Sequence, residues 1–133
     1  MKRSVIVDTN VLISFLEKKD SPCAQALADY DELLVTPTIL GEYRAGISDN
    51  RKGALSRAAL EDFLSKDSVS ELTMTSRTSV FYAKVYQALK TVGCPIPVND
   101  IWIAASAIEN GVELCSFDRH FASVPMLQFR NLL

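Results

Sequence analysis

Apolar positions along this chain come in two alternating kinds of run. Ser4-Val5-Ile6-Val7 is short, β-branched and unbroken, the pattern of a strand buried on both faces. Asp8-Thr9-Asn10 follows, three residues able to cap a helix. Residues 11–17 then read as a helix that closes near Lys18-Lys19, where cations suit the helix dipole. Pro22 at a first helical position predicts a second helix to about residue 29, and Leu33-Leu34-Val35 predicts a second strand. Thr36-Pro37 pairs a capping hydroxyl with a proline at N1, so a third helix starts there, carries Glu42 and stops near Gly46. The polar stretch 48–53 reads as a loop. Leu55, Ala58, Ala59 and Phe63 recur at helical spacing over residues 54–65.

The second half continues the alternation. Residues 69–74 read as a strand, and 76–92 as a long amphipathic helix with Phe81, Val85, Ala88, Leu89 and Val92 on one face, ended by Gly93. Pro95 and Pro97 hold the next segment extended. Asn99 is the expected cap of a helix striped by Ile101, Ala104, Ala105 and Ile108 and ended by Asn110-Gly111. A strand over 112–117, a turn over 118–121 and a last strand over 126–129 complete the reading. Strands alternating with helices predict an α/β fold, a parallel sheet with helices on both faces. No repeat, linker or low-complexity segment interrupts it, so residues 1–133 read as one domain.

Composition narrows the chemistry. A chain that is 48% hydrophobic and 23% charged builds an ordinary globular core, which excludes disordered, collagen-like and disulfide-framed classes. The one histidine, His120, removes ribonuclease mechanisms that need a histidine pair and zinc proteases that need two. A Ser-His-Asp triad would have to use His120, and there is no Gly-x-Ser-x-Gly elbow. Cys23, Cys94 and Cys115 lack Cys-x-x-Cys spacing, so they do not read as zinc ligands. They read as small buried hydrophobes, and an odd count without a secretory signal points to a reducing cytoplasm. The apolar stretch after Met1-Lys2-Arg3 is cut by Asp8 and Asn10, and no run of about 18 apolar residues exists. A cytoplasmic protein with no membrane segment is expected.

Four carboxylates stand at the ends of elements. In open α/β sheets ligands bind outside the carboxyl ends of the strands. Asp8 follows the first strand and Asp118 a late one, Asp100 opens a helix, and Glu42 lies about a turn and a half into the helix after the second strand. Each has an ordinary reading: a cap, a first-turn charge, a turn former, an exposed helix residue. The neighbours of Asp8 and Asp100 are apolar, however, and an unpaired buried charge is expensive. If the four converge, like charges raise one another's pKa values, and a hard divalent cation with oxygen ligands, Mg²⁺ or Mn²⁺, relieves the repulsion. A carboxylate-held cation pair is a device for phosphodiester hydrolysis.

At this point the chain resembles the PIN-domain ribonucleases, most closely the VapC toxins of toxin–antitoxin pairs. The resemblance is carried by Val5-Ile6-Val7-Asp8-Thr9-Asn10-Val11-Leu12-Ile13, Gly41-Glu42, Asn99-Asp100-Ile101-Trp102-Ile103-Ala104-Ala105 and Leu114-Cys115-Ser116-Phe117-Asp118-Arg119-His120-Phe121, in that order over nearly the whole chain. It implies about five parallel strands, a Mg²⁺ or Mn²⁺ site and endonucleolytic RNA cleavage. It maps the catalytic and metal-holding quartet onto Asp8, Glu42, Asp100 and Asp118, with Thr9 or Asn10 and Ser116 in supporting positions. It also implies tRNA or rRNA as substrate, a VapB-type antitoxin as partner and a homodimer. Tyr43-Arg44 after Glu42 fits loosely, so Asp49 competes for that place.

Arg119 and His120 adjoin Asp118. Arg119 is a candidate phosphate contact, and His120 reads first as a turn residue. Arg51-Lys52 reads as a solvated loop pair, and Trp102 as packing before base stacking. Two other classes lack residues that they need. A receiver domain needs an acidic pair after the first strand and a late lysine, and a haloacid-dehalogenase-type phosphatase needs Asp-x-Asp, where Asn10 stands. A PIN nuclease of RNA processing without an antitoxin and an inactive PIN-like binding module stay open. The net charge of −2 does not oppose an RNA partner. Setting the four acids aside leaves 12 acids against 14 bases, and the charge of a metal site includes its ions.

Overall fold

The computed structural model describes residues 2–18 and 22–133; Lys19, expected near the end of the first helix, lies outside them. Its elements are β1 (Ser4–Val7), α1 (Thr9–Glu17), α2 (Pro22–Leu27), β2 (Glu32–Val35), α3 (Pro37–Ala45), α4 (Arg51–Leu64), β3 (Val69–Glu71), α5 (Ser76–Val92), α6 (Val98–Asn110), β4 (Glu113–Ser116), a 3₁₀ segment (Arg119–Ser123) and β5 (Phe129–Asn131). The strands form one five-stranded sheet in the order β3-β2-β1-β4-β5, and every pairing is parallel. Val5, Ile6 and Val7 of the central strand are fully buried, as a β-branched run with both faces covered requires.

The chain steps outward from β1 to β2 to β3, then returns past β1 to β4 and on to β5. Right-handed crossovers put the helices of the outward leg on one face and those of the return leg on the other. Accordingly α1 packs with α2, α3 and α4, and α5 packs with α6, while α3 also meets α6. Helix α6 is buried nearly all round, at Ile101, Ile103, Ala104, Ala105 and Ala107. The order reverses between β1 and β4, so their carboxyl ends flank a topological switch point, where open α/β sheets bind ligands.

Several expected boundaries move for identifiable reasons. Asp8 alone caps α1, its side chain accepting from the Thr9 N–H, and Thr9 and Asn10 lie inside the helix. Helix α2 stops at Leu27, and β2 starts at Glu32. The stretch read as a loop over 48–53 contains the first turn of α4, because the Asn50 side chain accepts the Gly53 N–H at 3.0 Å and caps it. Gly53 is required there: a Cβ would stand 1.6 Å from the Ser48 carbonyl oxygen. Leu55 is 66% exposed, and the buried side of α4 is Leu60 and Phe63. Strand β3 is only three residues long. Val92 is exposed rather than on the buried face of α5, and α5 and α6 end at left-handed Gly93 and Gly111. Asn99 is not a cap; Pro97 holds that position and α6 has no side-chain cap. The last strand begins at Phe129 because Met126 adopts a positive φ of 69° and pairing with β4 starts at Leu114–Phe129. Cys23 and Cys115 are buried but Cys94 is exposed. No helix among the described residues is long and apolar enough to cross a membrane.

Candidate active site

Asp8 is placed by the sheet. Its N–H donates to the Cys115 carbonyl at 3.1 Å, extending the β1–β4 ladder by one residue, while its own carbonyl accepts the first α1 bond from Leu12 at 2.9 Å. The side chain is thereby fixed at the strand-to-helix junction and is only 3% exposed. The Ser116 hydroxyl donates to Asp8 Oδ2 at 2.6 Å and the Thr9 N–H to Oδ1 at 2.8 Å. Ser116 in turn accepts the Asp118 N–H at 3.0 Å, so one buried hydroxyl ties the end of β1 to the turn after β4.

Asn10 makes a second tie. Its Oδ1 accepts the Phe117 N–H at 3.3 Å and its Nδ2 donates to Asp118 Oδ2 at 3.2 Å. Glu42 is brought in by α3, whose start is set by the Ile39 N–H donating to Thr36 Oγ1 at 3.3 Å and by Pro37 behind it. The Thr9 hydroxyl donates to Glu42 Oε1 at 2.7 Å. Asp100 sits in the first turn of α6, where the helix dipole favours a carboxylate.

Asp8, Thr9, Asn10, Glu42, Asp100 and Asp118 all line one open cleft of about 560 Å³. Asp49 is not among its lining residues and is exposed, so geometry favours Glu42 over Asp49. Arg119 is exposed on the 3₁₀ segment and is not part of the cleft wall. Trp102 packs its ring on Tyr82, with centroids 4.4 Å apart. Arg51 and Lys52 stand exposed on the first turn of α4 instead of in a loop.

His120, read first as a turn residue, is the largest surprise of position. Its Nε2 comes within 2.8 Å of Asp100 Oδ2, off the line a hydrogen bond needs, so this buried nitrogen has no hydrogen-bond partner. Asp100, Asp118 and His120 each present a donor atom within 4.8 Å of the others. The sequence signal was present, two residues beyond Asp118, but only the 3₁₀ turn brings the ring back toward α6.

The electrostatics are those of an overcharged site. Burial, first, pushes the Asp8 carboxyl up to about 6; the bonds from Ser116 and Thr9 pull it back, and the charges of Asp100 and Asp118 push it further up. The Asp100 carboxyl is also raised, again mainly by burial, with the His120 ring opposing and Glu42 and Asp118 adding to the rise. Among the described residues, no lysine or arginine forms an ion pair with these four acids. Oxygen donors crowded together without a compensating side-chain cation, beside an orphaned imidazole nitrogen, are a donor set that fits a divalent metal ion.

A family model described as PIN domain matches residues 5–127. Ribonuclease VapC4 of Mycobacterium tuberculosis is 25% identical over 123 residues, with 92% of this chain and 92% of that protein covered. Among solved structures, VapBC2 from Rickettsia felis bound to a DNA fragment from its promoter aligns with a TM-score of 0.83 at 22% identity, covering 96% of this chain and 98% of that one. DNA-bound VapBC from Salmonella typhimurium aligns at 0.84 and 18% identity, covering 97% and 98%.

Proposed function

The chain belongs to the PIN-domain family, and from that premise we propose that it is a Mg²⁺- or Mn²⁺-dependent endoribonuclease, the toxin of a VapBC-type pair, acting in the cytoplasm on tRNA or rRNA. The observation that carries this reading is the convergence of Asp8, Glu42, Asp100 and Asp118 on one cleft at the β1/β4 switch point. These four are the catalytic residues and would hold the cation. When bound, the cation supplies charge neutralisation and a water acidic enough to act as a nucleophile near neutral pH.

The chain's own groups do the rest. Ser116 and Thr9 hold Asp8 by its two oxygens, which fixes the orientation in which it would hold a cation. Asn10 fixes Asp118, and the Thr9 hydroxyl fixes Glu42; such outer partners orient the ligands they touch. Arg119 is exposed next to Asp118, outside the cleft wall, and its part in this reading is a contact to an RNA phosphate at the rim. Water adds to phosphorus and the bond to the 3′ oxygen breaks, leaving 5′-phosphate and 3′-hydroxyl ends. With one histidine in the chain, a paired-imidazole attack by the 2′-hydroxyl has no acid and base.

The toxin reading is supported by the similarity to Ribonuclease VapC4 over most of both chains. The antitoxin would cover the acidic cleft. A homodimer is part of the same proposal, which light scattering tests. The central experiment is cleavage of total RNA with mapped ends, comparing the natural chain with Asp100→Asn. Metal-dependent 5′-phosphate ends that vanish in the variant are expected. Ends carrying 2′,3′-cyclic phosphate, or full activity in excess EDTA, overturn the mechanism. A chain harmless when expressed alone keeps the nuclease and removes the toxin.

A further inference from the structure

His120 Nε2 is the imidazole nitrogen beside these carboxylates, and its setting is unusual for an ordinary ion pair. It is buried and without a hydrogen bond although Asp100 Oδ2 is only 2.8 Å away. An imidazolium paired with a carboxylate aims its N–H along the line to the oxygen; here that line is missed. When the ring is neutral and its Nε2 lone pair faces Asp100, two donors this close repel, and a cation between them relieves the repulsion. Donors on adjacent vertices of an octahedral ion with bonds of about 2.1 Å stand about 3 Å apart, which is the spacing of this pair. Asp118 supplies a third donor atom within 4.8 Å of both. The ring is braced by Phe121, centroids 4.8 Å apart, and Phe121 is itself fully buried, so the nitrogen is held at the site rather than swinging in solvent.

Resting on the metal-site reading above, we propose that His120 Nε2 is a direct ligand of the divalent cation held by Asp100 and Asp118, making the donor set oxygen with one nitrogen. An imidazole in place of an oxygen shifts preference away from Mg²⁺, which takes oxygen ligands, and toward transition metals. The site therefore discriminates in favour of Mn²⁺ more strongly than a purely carboxylate site would.

The chain contains a single histidine, which makes the test unambiguous. The full, untagged protein is stripped with EDTA, dialysed and titrated with Mn²⁺, and the bound ion is examined by electron spin echo envelope modulation. A directly coordinated imidazole ¹⁴N coupling in the natural chain can come only from His120. His120→Gln is expected to lose that coupling and to weaken Mn²⁺ binding by about tenfold or more, with a smaller loss for Mg²⁺ measured by competition. Bound Mn²⁺ without ¹⁴N coupling in the natural chain overturns the histidine ligand and leaves the carboxylate site standing. A natural chain that binds no Mn²⁺ overturns both. The spectrum of the natural chain decides even where the variant folds poorly.

Discussion

At the end of the sheet where the strands begin, Glu113 accepts from the Tyr30 hydroxyl at 2.8 Å and from Arg3 Nε at 3.2 Å. Arg130 reaches Asp29 at 3.0 Å and Tyr30 at 3.2 Å, the Arg3 N–H donates to Asp31 at 2.8 Å, and Glu32 takes the hydroxyls of Ser4 and Ser70, each at 3.0 Å. At the other end, Asp8, Glu42 and Asp118 receive two hydroxyls, a side-chain amide and one backbone N–H, and the basic side chain beside Asp100 is a histidine ring. The same parallel sheet thus has one end where Glu113 and Asp29 are paired with arginines and one where, among the described residues, none of the four acids is. The matched end stabilises the fold by modest amounts, since exposed pairs contribute about 1 kcal/mol or less. The unmatched end costs stability, because burial and neighbouring like charges disfavour the charged carboxylates there.

The sharpest way to break this contrast is at its unmatched end. Asp100→Asn is expected to lower RNA cleavage by on the order of 10³-fold, and EDTA to do the same to the natural chain until Mg²⁺ or Mn²⁺ is restored. Initial rates on a defined RNA measure both. Glu113→Gln at the matched end should leave the rate unchanged.

Next comes stability against pH without metal. The Asp8 carboxyl is raised from 3.8 to about 6 in the folded chain, so between those values the folded state keeps a proton that the unfolded state has released. Stability therefore falls as pH rises through about 4 to 6, and the full penalty, about 3 kcal/mol, is present above that window. Asp8→Asn is expected to flatten this slope in EDTA and to be more stable than the natural chain at pH 7 while failing to cleave RNA. Urea denaturation from pH 4 to 7.5 measures it, and an identical slope in both proteins would remove Asp8 from the account.

Two smaller effects sharpen the comparison. Thr9→Val deletes the hydroxyl on Glu42 while keeping the helix position, and should reduce cleavage about tenfold with little change in melting temperature. Glu113→Gln should lower stability by about 1 kcal/mol with no metal dependence, read by the same urea titration with and without Mg²⁺.

Much of this was legible beforehand because local chemistry sufficed. The run Val5-Ile6-Val7 has no stable home except a buried strand, and Thr36-Pro37 starts a helix in almost any context. Asp8 and Asp100 stood out because charges surrounded by apolar residues need a reason. The misses were equally physical. The first turn of α4 hid in a polar stretch because its stability comes from the Asn50 cap and from the space that Gly53 leaves for the Ser48 carbonyl, not from apolar spacing. Leu55 and Val92 matched a helical period yet face outward, since periodicity does not say which residues of an apolar stripe reach the core.

The sequence by itself determined the alternation of strands and helices, hence the parallel sheet, and the four acids set at element ends. Both follow from interactions among near neighbours. Only the tertiary structure decided that the order reverses between β1 and β4, that Glu42 and not Asp49 lines the cleft, and that His120 turns its nitrogen to Asp100. Those three depend on how crossovers and a 3₁₀ turn bring together residues as far as 108 positions apart, and no local preference carries that information.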